Sequence, residues 1–252
     1  MKFNNQYINR EISWLWFNDR VLQESADKRV PLIERLRFLG IFSNNLDEFF
    51  KVRYATVKRI VEAGKTGKSV LGGEKAKDLL EEITQIVIDQ QTKSLGILKR
   101  IEDELEEQNI FILEETELNE SQKSFAKTYF LQNISPQLMT IILNDLTRFP
   151  NLKDTAAYLA VRMLIKNEVG KKEKRYALIE IPKGIDRFVV LPQEGEKNYI
   201  IILDDVIRYC LNNIFTMFDY ESISAHMIKI TRDAELDMDN DLSKSFIEKI
   251  SS

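Results

Sequence analysis
Apolar residues recur every three to four positions through the first half of the chain and crowd into short β-branched runs in the second. A first helix is predicted through Trp14, Leu15, Phe17, Val21 and Leu22, with Ser13 as its cap. Pro31 suits the first turn of a second helix, where a missing N–H costs nothing. The apolar face of that helix is read as Leu32, Leu36 and Leu39, with Ile33 beside them. Ser43-Asn44-Asn45 then reads as a break, and a third helix is predicted to carry the stripe Leu46, Phe49, Phe50, Val57, Ile60 and Val61. Gly64-Lys65-Thr66-Gly67-Lys68-Ser69 and Gly72-Gly73 interrupt the pattern and read as a loop. From about Glu74 to Glu107 the stripe is Ala76, Leu80, Ile83, Val87, Gln90, Ser94, Ile97, Ile101 and Leu105. A helix of that span is roughly 50 Å long at 1.5 Å per residue, and its stripe must pack against the shorter helices. One more helix is expected after an Asn119 cap, using Phe125, Tyr129 and Phe130.

The second half changes period. Tyr158 to Ile165, Arg175 to Ile181, Phe188 to Leu191 and Tyr199 to Leu203 are short, rich in β-branched and aromatic residues, and bounded by turn formers, which predicts strands. A helix from Asp205 to Phe218 and a strand from Ser224 to Ile230 follow. The composition shifts between Glu107 and Pro150. Two domains are therefore expected: a mainly α-helical one over 1–107, and an α+β one over 108–252 with a largely antiparallel sheet. Leu242, Phe246, Ile247 and Ile250 begin an amphipathic pattern that reaches Ser252 without a stop signal, so the second domain is expected to be incomplete at its C-terminal side.

Charge and cysteine content narrow the classes. The 252 residues hold 36 basic and 40 acidic side chains, a net charge of -4, which argues against a general nucleic-acid coat. The one cysteine, Cys210, excludes an internal disulfide framework and fits a reducing compartment. It lies in the apolar pattern Val206, Ile207, Cys210, Leu211, Ile214, which reads as a buried, inert thiol. Met1 to Gln6 lack the apolar core of a signal peptide, and runs such as Tyr199 to Leu203 are too short to span a bilayer. The expectation is a cytoplasmic protein without a transmembrane segment, with peripheral attachment to a membrane left open.

Candidate chemistry is sparse. Gly64 to Ser69 imitates a phosphate-binding loop, but the required first glycine is replaced by Glu62 and a helix, not a strand, precedes it. Asp237, Asp239, Asp241 and Glu248 match ligand positions of a calcium loop, yet its essential glycine is Leu242; acidic residues at a helix start explain them better. His226 is the only histidine, and no zinc cluster or nucleophile–base pair is evident around it. Asn45 carries more. With Glu48 three residues on, it can cap the third helix, whose free amides would favour an anion. Lys51, Lys58 and Arg59 follow on one face, whereas Arg53 falls within the apolar stripe and should need a partner there. A solvated basic face is the plainer reading of the same residues.

Longer strings carry a resemblance. Glu11-Ile12-Ser13-Trp14-Leu15-Trp16-Phe17-Asn18-Asp19-Arg20-Val21-Leu22-Gln23-Glu24 and the run from Pro31 through Ser43-Asn44-Asn45-Leu46-Asp47-Glu48 to Arg53 resemble the opening of bacterial polyphosphate kinases. Arg175 to Pro182 and Thr231-Arg232-Asp233-Ala234-Glu235 are similar to that family's next domain. The resemblance implies a four-domain enzyme that reversibly transfers the terminal phosphate of ATP to inorganic polyphosphate, using Mg²⁺ and a phosphorylated histidine. It implies a helical domain that helps hold the nucleotide base, and a second domain that contributes to homo-oligomer contacts, as a dimer or higher. Asn45 matches the family's ATP-contacting asparagine; no catalytic residue and no metal ligand carries over, and His226 lies outside the catalytic-histidine motif. The expectation is therefore an N-terminal portion of such a kinase, inactive by itself, or alternatively a non-catalytic nucleotide-binding or self-association module.

Overall fold
A computed structural model describes residues 8–63, 76–144, 150–154, 156–166 and 170–231. The chain divides into two compact units, one ending at Glu104 and the other spanning Leu105–Thr231. The glycine-rich segment 64–73, the acidic segment 237–248 and the C-terminal amphipathic pattern lie outside the described residues.

The first unit is helical. Helix α1 (Arg10–Ala26) is capped by Asn9, whose side chain accepts from the amides of Glu11 and Ile12; Ser13, the predicted cap, sits inside the helix. Asn9 wins because its side chain lies where the orphan amides of the first turn need an acceptor. Helix α2 (Leu32–Glu48) starts directly after Pro31, which occupies the N-cap itself. It runs through Ser43-Asn44-Asn45 without a break and passes into a π-helical turn (Phe49–Tyr54) and then α3 (Ala55–Ala63). The predicted break is thus a continuous helix, and Asn45 is not a cap. Its buried face is Arg35, Phe42, Leu46 and Phe49, while Ile33 is exposed. Phe17 on α1 is exposed as well.

The long helix α4 (Ala76–Glu106) agrees closely with its predicted span. Ala76, Leu79, Ile83, Val87, Ile97, Ile101 and Leu105 are buried, with Leu79 in the place expected for Leu80. Gln90 is buried among them because its Nε2 donates to the main-chain oxygen of Leu15 at 2.9 Å, tying α4 to α1. Arg35, 2 % exposed, ties α2 to both: its Nε donates to the Ser25 main-chain oxygen at 2.9 Å and its Nη1 to Glu104 at 2.6 Å.

The second unit is α+β. Asn109, at φ 60°, ends α4 in the left-handed region that asparagine tolerates, and turns the chain into β1 (Ile110–Leu113). Helix α5 (Glu120–Tyr129) begins at the expected Asn119, with Gln122 completing a capping box. Strands β2 (Met139–Ile142), β3 (Ala157–Lys166), β4 (Lys172–Glu180) and β7 (Tyr220–Lys229) form an antiparallel sheet of order β2-β4-β3-β7. A second sheet of order β1-β6-β5 joins β5 (Phe188–Val190) antiparallel and β1 parallel to β6 (Asn198–Ile202). Neither β1 nor β2 was expected. The predicted helix from Asp205 is two short ones, α6 (Leu203–Tyr209) and α7 (Leu211–Ile214).

Alternation on β3 serves two layers. Leu159, Val161 and Met163 face a core with Ala177, Ile179, Phe130, Val206 and Phe215, whereas Tyr158 faces a smaller cluster with Leu152 and Leu178. Cys210 is fully buried in the larger core, and burial pushes its thiol up to about 11, consistent with an inert group.

Beside that core, Arg208 meets Glu115 at 2.8 Å, Asp205 at 2.5 Å and Asp204 at 3.5 Å, and Arg187 meets Asp204 at 2.9 Å. Burial pushes the Asp205 carboxyl up to about 7; Arg208 opposes the rise, and the Asp204 and Glu115 charges add to it.

Two outcomes follow from this packing. Removing the Arg35 side chain leaves Glu104 with only the exposed Lys28 at 3.9 Å, frees the Ser25 main-chain oxygen and opens the three-helix junction. Arg35→Ala should cost about 2–4 kcal/mol in denaturant unfolding, whereas Arg37→Ala, on an exposed pair with Glu34, should leave stability at the wild-type value. For Asp205 the folded state holds its proton more tightly than the unfolded chain. Its contribution is complete below about pH 4 and is lost as pH rises toward 7. Thermal melts across that range should show the wild type losing stability relative to Asp205→Asn as pH rises, and a constant difference would refute the assignment.

Candidate functional site
The site that the sequence reading singled out lies along the antiparallel packing of α1 on α2 and the π turn. Three buried polar residues of α1 stand seven apart, Glu11, Asn18 and Ser25, and each meets a polar group across the helix pair. Asn18 Nδ2 donates to the Phe42 main-chain oxygen at 3.2 Å, and its Oδ1 accepts from Asn45 Nδ2 at 2.9 Å. At one end Ser25 offers its main-chain oxygen to Arg35; at the other Glu11 Oε1 lies 3.5 Å from Arg53 Nη1. The π turn inserts an extra residue per turn, and the contacts show its result: Asn45, Phe49 and Arg53 all face α1.

Arg53 therefore has the partner that its place in the apolar stripe demanded. The pair lacks hydrogen-bond geometry, however, and Arg53 Nη1 is buried with no hydrogen-bond acceptor among the described residues. Between the two polar contacts lies an aromatic set. Phe49 is buried and stacks on Trp14 at 5.1 Å and 26°, Phe50 meets Phe49 edge-on at 6.1 Å, and Tyr54 lies 4.8 Å from Phe50.

Asn45 is half-buried at the last turn of α2. Its main-chain oxygen accepts from the amide of Phe49, so no free helix N-terminus exists beside it and the anion-binding cap expected there is absent. Its side chain is left free for other partners. One N–H is taken by Asn18; the second N–H and Oδ1 make no hydrogen bond among the described residues. Lys58 is exposed on α3, and Arg59 donates to Thr56 Oγ1 at 3.2 Å. Asn18 was missed as a site residue; its signal was a polar residue between Leu15 and Leu22 on the inward face of the helix.

His226 is exposed on β7, opposite Ala160 of β3, in the other unit. Among the described residues no group of three histidine, cysteine or acidic side chains is placed to hold a metal ion. None of the helices described is long and apolar enough to cross a membrane.

The helical unit and the α+β unit each match a profile of one class of phosphotransferase. The profile described as polyphosphate kinase N-terminal domain matches residues 7–113, and that described as polyphosphate kinase middle domain matches residues 121–252. The chain belongs to the polyphosphate kinase family. It is 42% identical over 256 residues to the polyphosphate kinase of Vibrio cholerae, covering all of this chain and 35% of the relative. It is 41% identical over 254 residues to that of Escherichia coli K12, covering 98% and 35%. The crystal structure of polyphosphate kinase from Porphyromonas gingivalis superposes with a TM-score of 0.77 at 30% identity, over 92% of this chain and 34% of that one. The chain thus spans about a third of the length of these relatives.

Proposed function
We propose that this chain supplies the N-terminal part of an enzyme that transfers the terminal phosphate of ATP reversibly to inorganic polyphosphate, and that Asn45 contributes to holding the nucleotide base. The observation that carries the second statement is the half-spent amide of Asn45, anchored by Asn18 yet retaining a donor and an acceptor. Because Asn45 is only half-buried, those two groups are open to a ligand in place of water. The transfer itself requires cations to clamp the developing charge on the phosphoryl oxygens and a nucleophile held in line. Those groups, and the ligands of the Mg²⁺ that neutralises phosphate charge, belong in this reading to the two thirds of the relatives' length that this chain does not match.

The α+β unit is proposed to mediate self-association. Its strand β5 stands at a sheet edge with Phe188 and Val190 exposed and Val189 between them buried, so an apolar face and an open ladder lie together. Light scattering over a concentration series should show dimers or larger species, weakened by Val190→Glu. A folded monomer at the highest concentration would count against it.

Asn45 is tested in the full-length kinase that carries this sequence. Asn45→Ala should raise the KM for ATP roughly tenfold while kcat changes less, because a hydrogen-bonding base edge loses its partner. Wild-type kinetics in a variant that melts normally would remove Asn45 from the site.

A further inference from the structure
An amide has two ends of opposite character, and a chain of contacts decides which end of Asn45 is free. Asn18 is fully buried, 0 % exposed, and its amide lies against the main-chain oxygen of Phe42 at 3.2 Å. A carbonyl only accepts, so the nitrogen of Asn18 must lie on that side and its oxygen on the other. That oxygen in turn requires a donor, and Asn45 Nδ2 meets it at 2.9 Å. The backbone of α2 thereby fixes, through Asn18, the orientation of an amide one turn further along the same helix. The free groups of Asn45 are then an acceptor, Oδ1, beside one N–H donor.

We infer that Asn18 is a specificity-determining positioning residue, which locks Asn45 so that the site selects 6-aminopurine nucleotides over 6-oxopurine ones. The inference rests on the reading that Asn45 meets the base. An acceptor beside a donor complements the 6-amino group and N7 of adenine, the edge that asparagine amides recognise in pairs of hydrogen bonds. A 6-oxopurine presents two acceptors there, so Oδ1 would face oxygen with no proton between them. An unanchored Asn45 escapes that conflict by turning its nitrogen toward the base and donating one N–H to each of the two acceptors. Burial of Asn18 removes the escape, because turning Asn45 over would leave the Asn18 oxygen without a donor in an apolar helix interface.

The test compares kcat/KM for ATP and for inosine triphosphate, which differ at the purine 6-position, in the full-length kinase carrying this sequence. The wild type should prefer ATP. Asn18→Leu and Asn18→Ala should reduce the ATP-to-inosine-triphosphate ratio about tenfold, and mainly through KM. Asn18→Asp should retain the ratio, since its carboxyl still accepts from Asn45 and, protonated, still donates to Phe42. A residue with a purely structural role would lower the melting temperature and leave the ratio alone. The inference is overturned if folded Asn18→Leu or Asn18→Ala keeps the wild-type ratio. It is equally overturned if Asn18→Asp loses the ratio, a measurement that stands even where the apolar variants do not fold. Asn45→Ala separates the two readings. If it leaves ATP kinetics unchanged, the reading of Asn45 itself has failed; if it raises the KM while Asn18→Leu keeps the ratio, only the role of Asn18 has failed.

Discussion
The helical unit depends on one constraint: polar groups carried into the α1–α2 interface must find each other there. Asn18 cannot remain buried unless a donor and an acceptor meet it, and only one axial register of the two helices provides Phe42 O and Asn45 together. A slip by one turn would leave both asparagines unsatisfied and would also part Ser25 from Arg35 and Glu11 from Arg53. Apolar packing alone tolerates such slips better, since Leu15, Leu22, Phe42 and Leu46 present similar surfaces. Buried polar residues at a heptad spacing act here as they do in coiled coils, fixing register at some expense of stability.

The π turn belongs to the same constraint. An α-helix continued from Asn45 would carry Arg53 progressively away from α1; the wider turn at Phe49–Tyr54 keeps asparagine, phenylalanine and arginine facing one neighbour. Such turns recur at functional sites because they aim side chains that regular helices cannot. The aromatic stack of Trp14 on Phe49 lies between the polar contacts.

Unit two uses charge differently. Glu115, Asp204 and Asp205 gather around Arg208 beside the core, with Arg187 on Asp204, so three carboxylates face two guanidinium groups. Burial is the main reason that Asp205 retains a proton near neutrality; Arg208 opposes it, and the neighbouring Asp204 and Glu115 charges add to it. In the helical unit, by contrast, the buried polar contacts are mostly neutral amides and carbonyls.

What the sequence determined by itself was whatever depends on neighbours in the chain. The span of α4, the Asn119 cap, the strands β3 to β7 and the split between a helical and an α+β part follow from periodicity and capping, which are local. The long strings around Asn18 and Asn45 were enough to mark the family. Tertiary structure alone decided the rest. Ser43-Asn44-Asn45 looks like a break because asparagine competes for the backbone; it stays helical because Asn18 takes the Asn45 side chain instead. Strand β1 exists only because β6, far along the chain, offers a parallel partner, and four apolar residues by themselves carry no such signal. Arg35 and Asn18 can be buried only because the groups that satisfy them, Glu104 and Ser25 for one and Phe42 and Asn45 for the other, are brought alongside by the fold. Whether a polar side chain is outside or inside is settled by distant partners, and distance along the chain hides them.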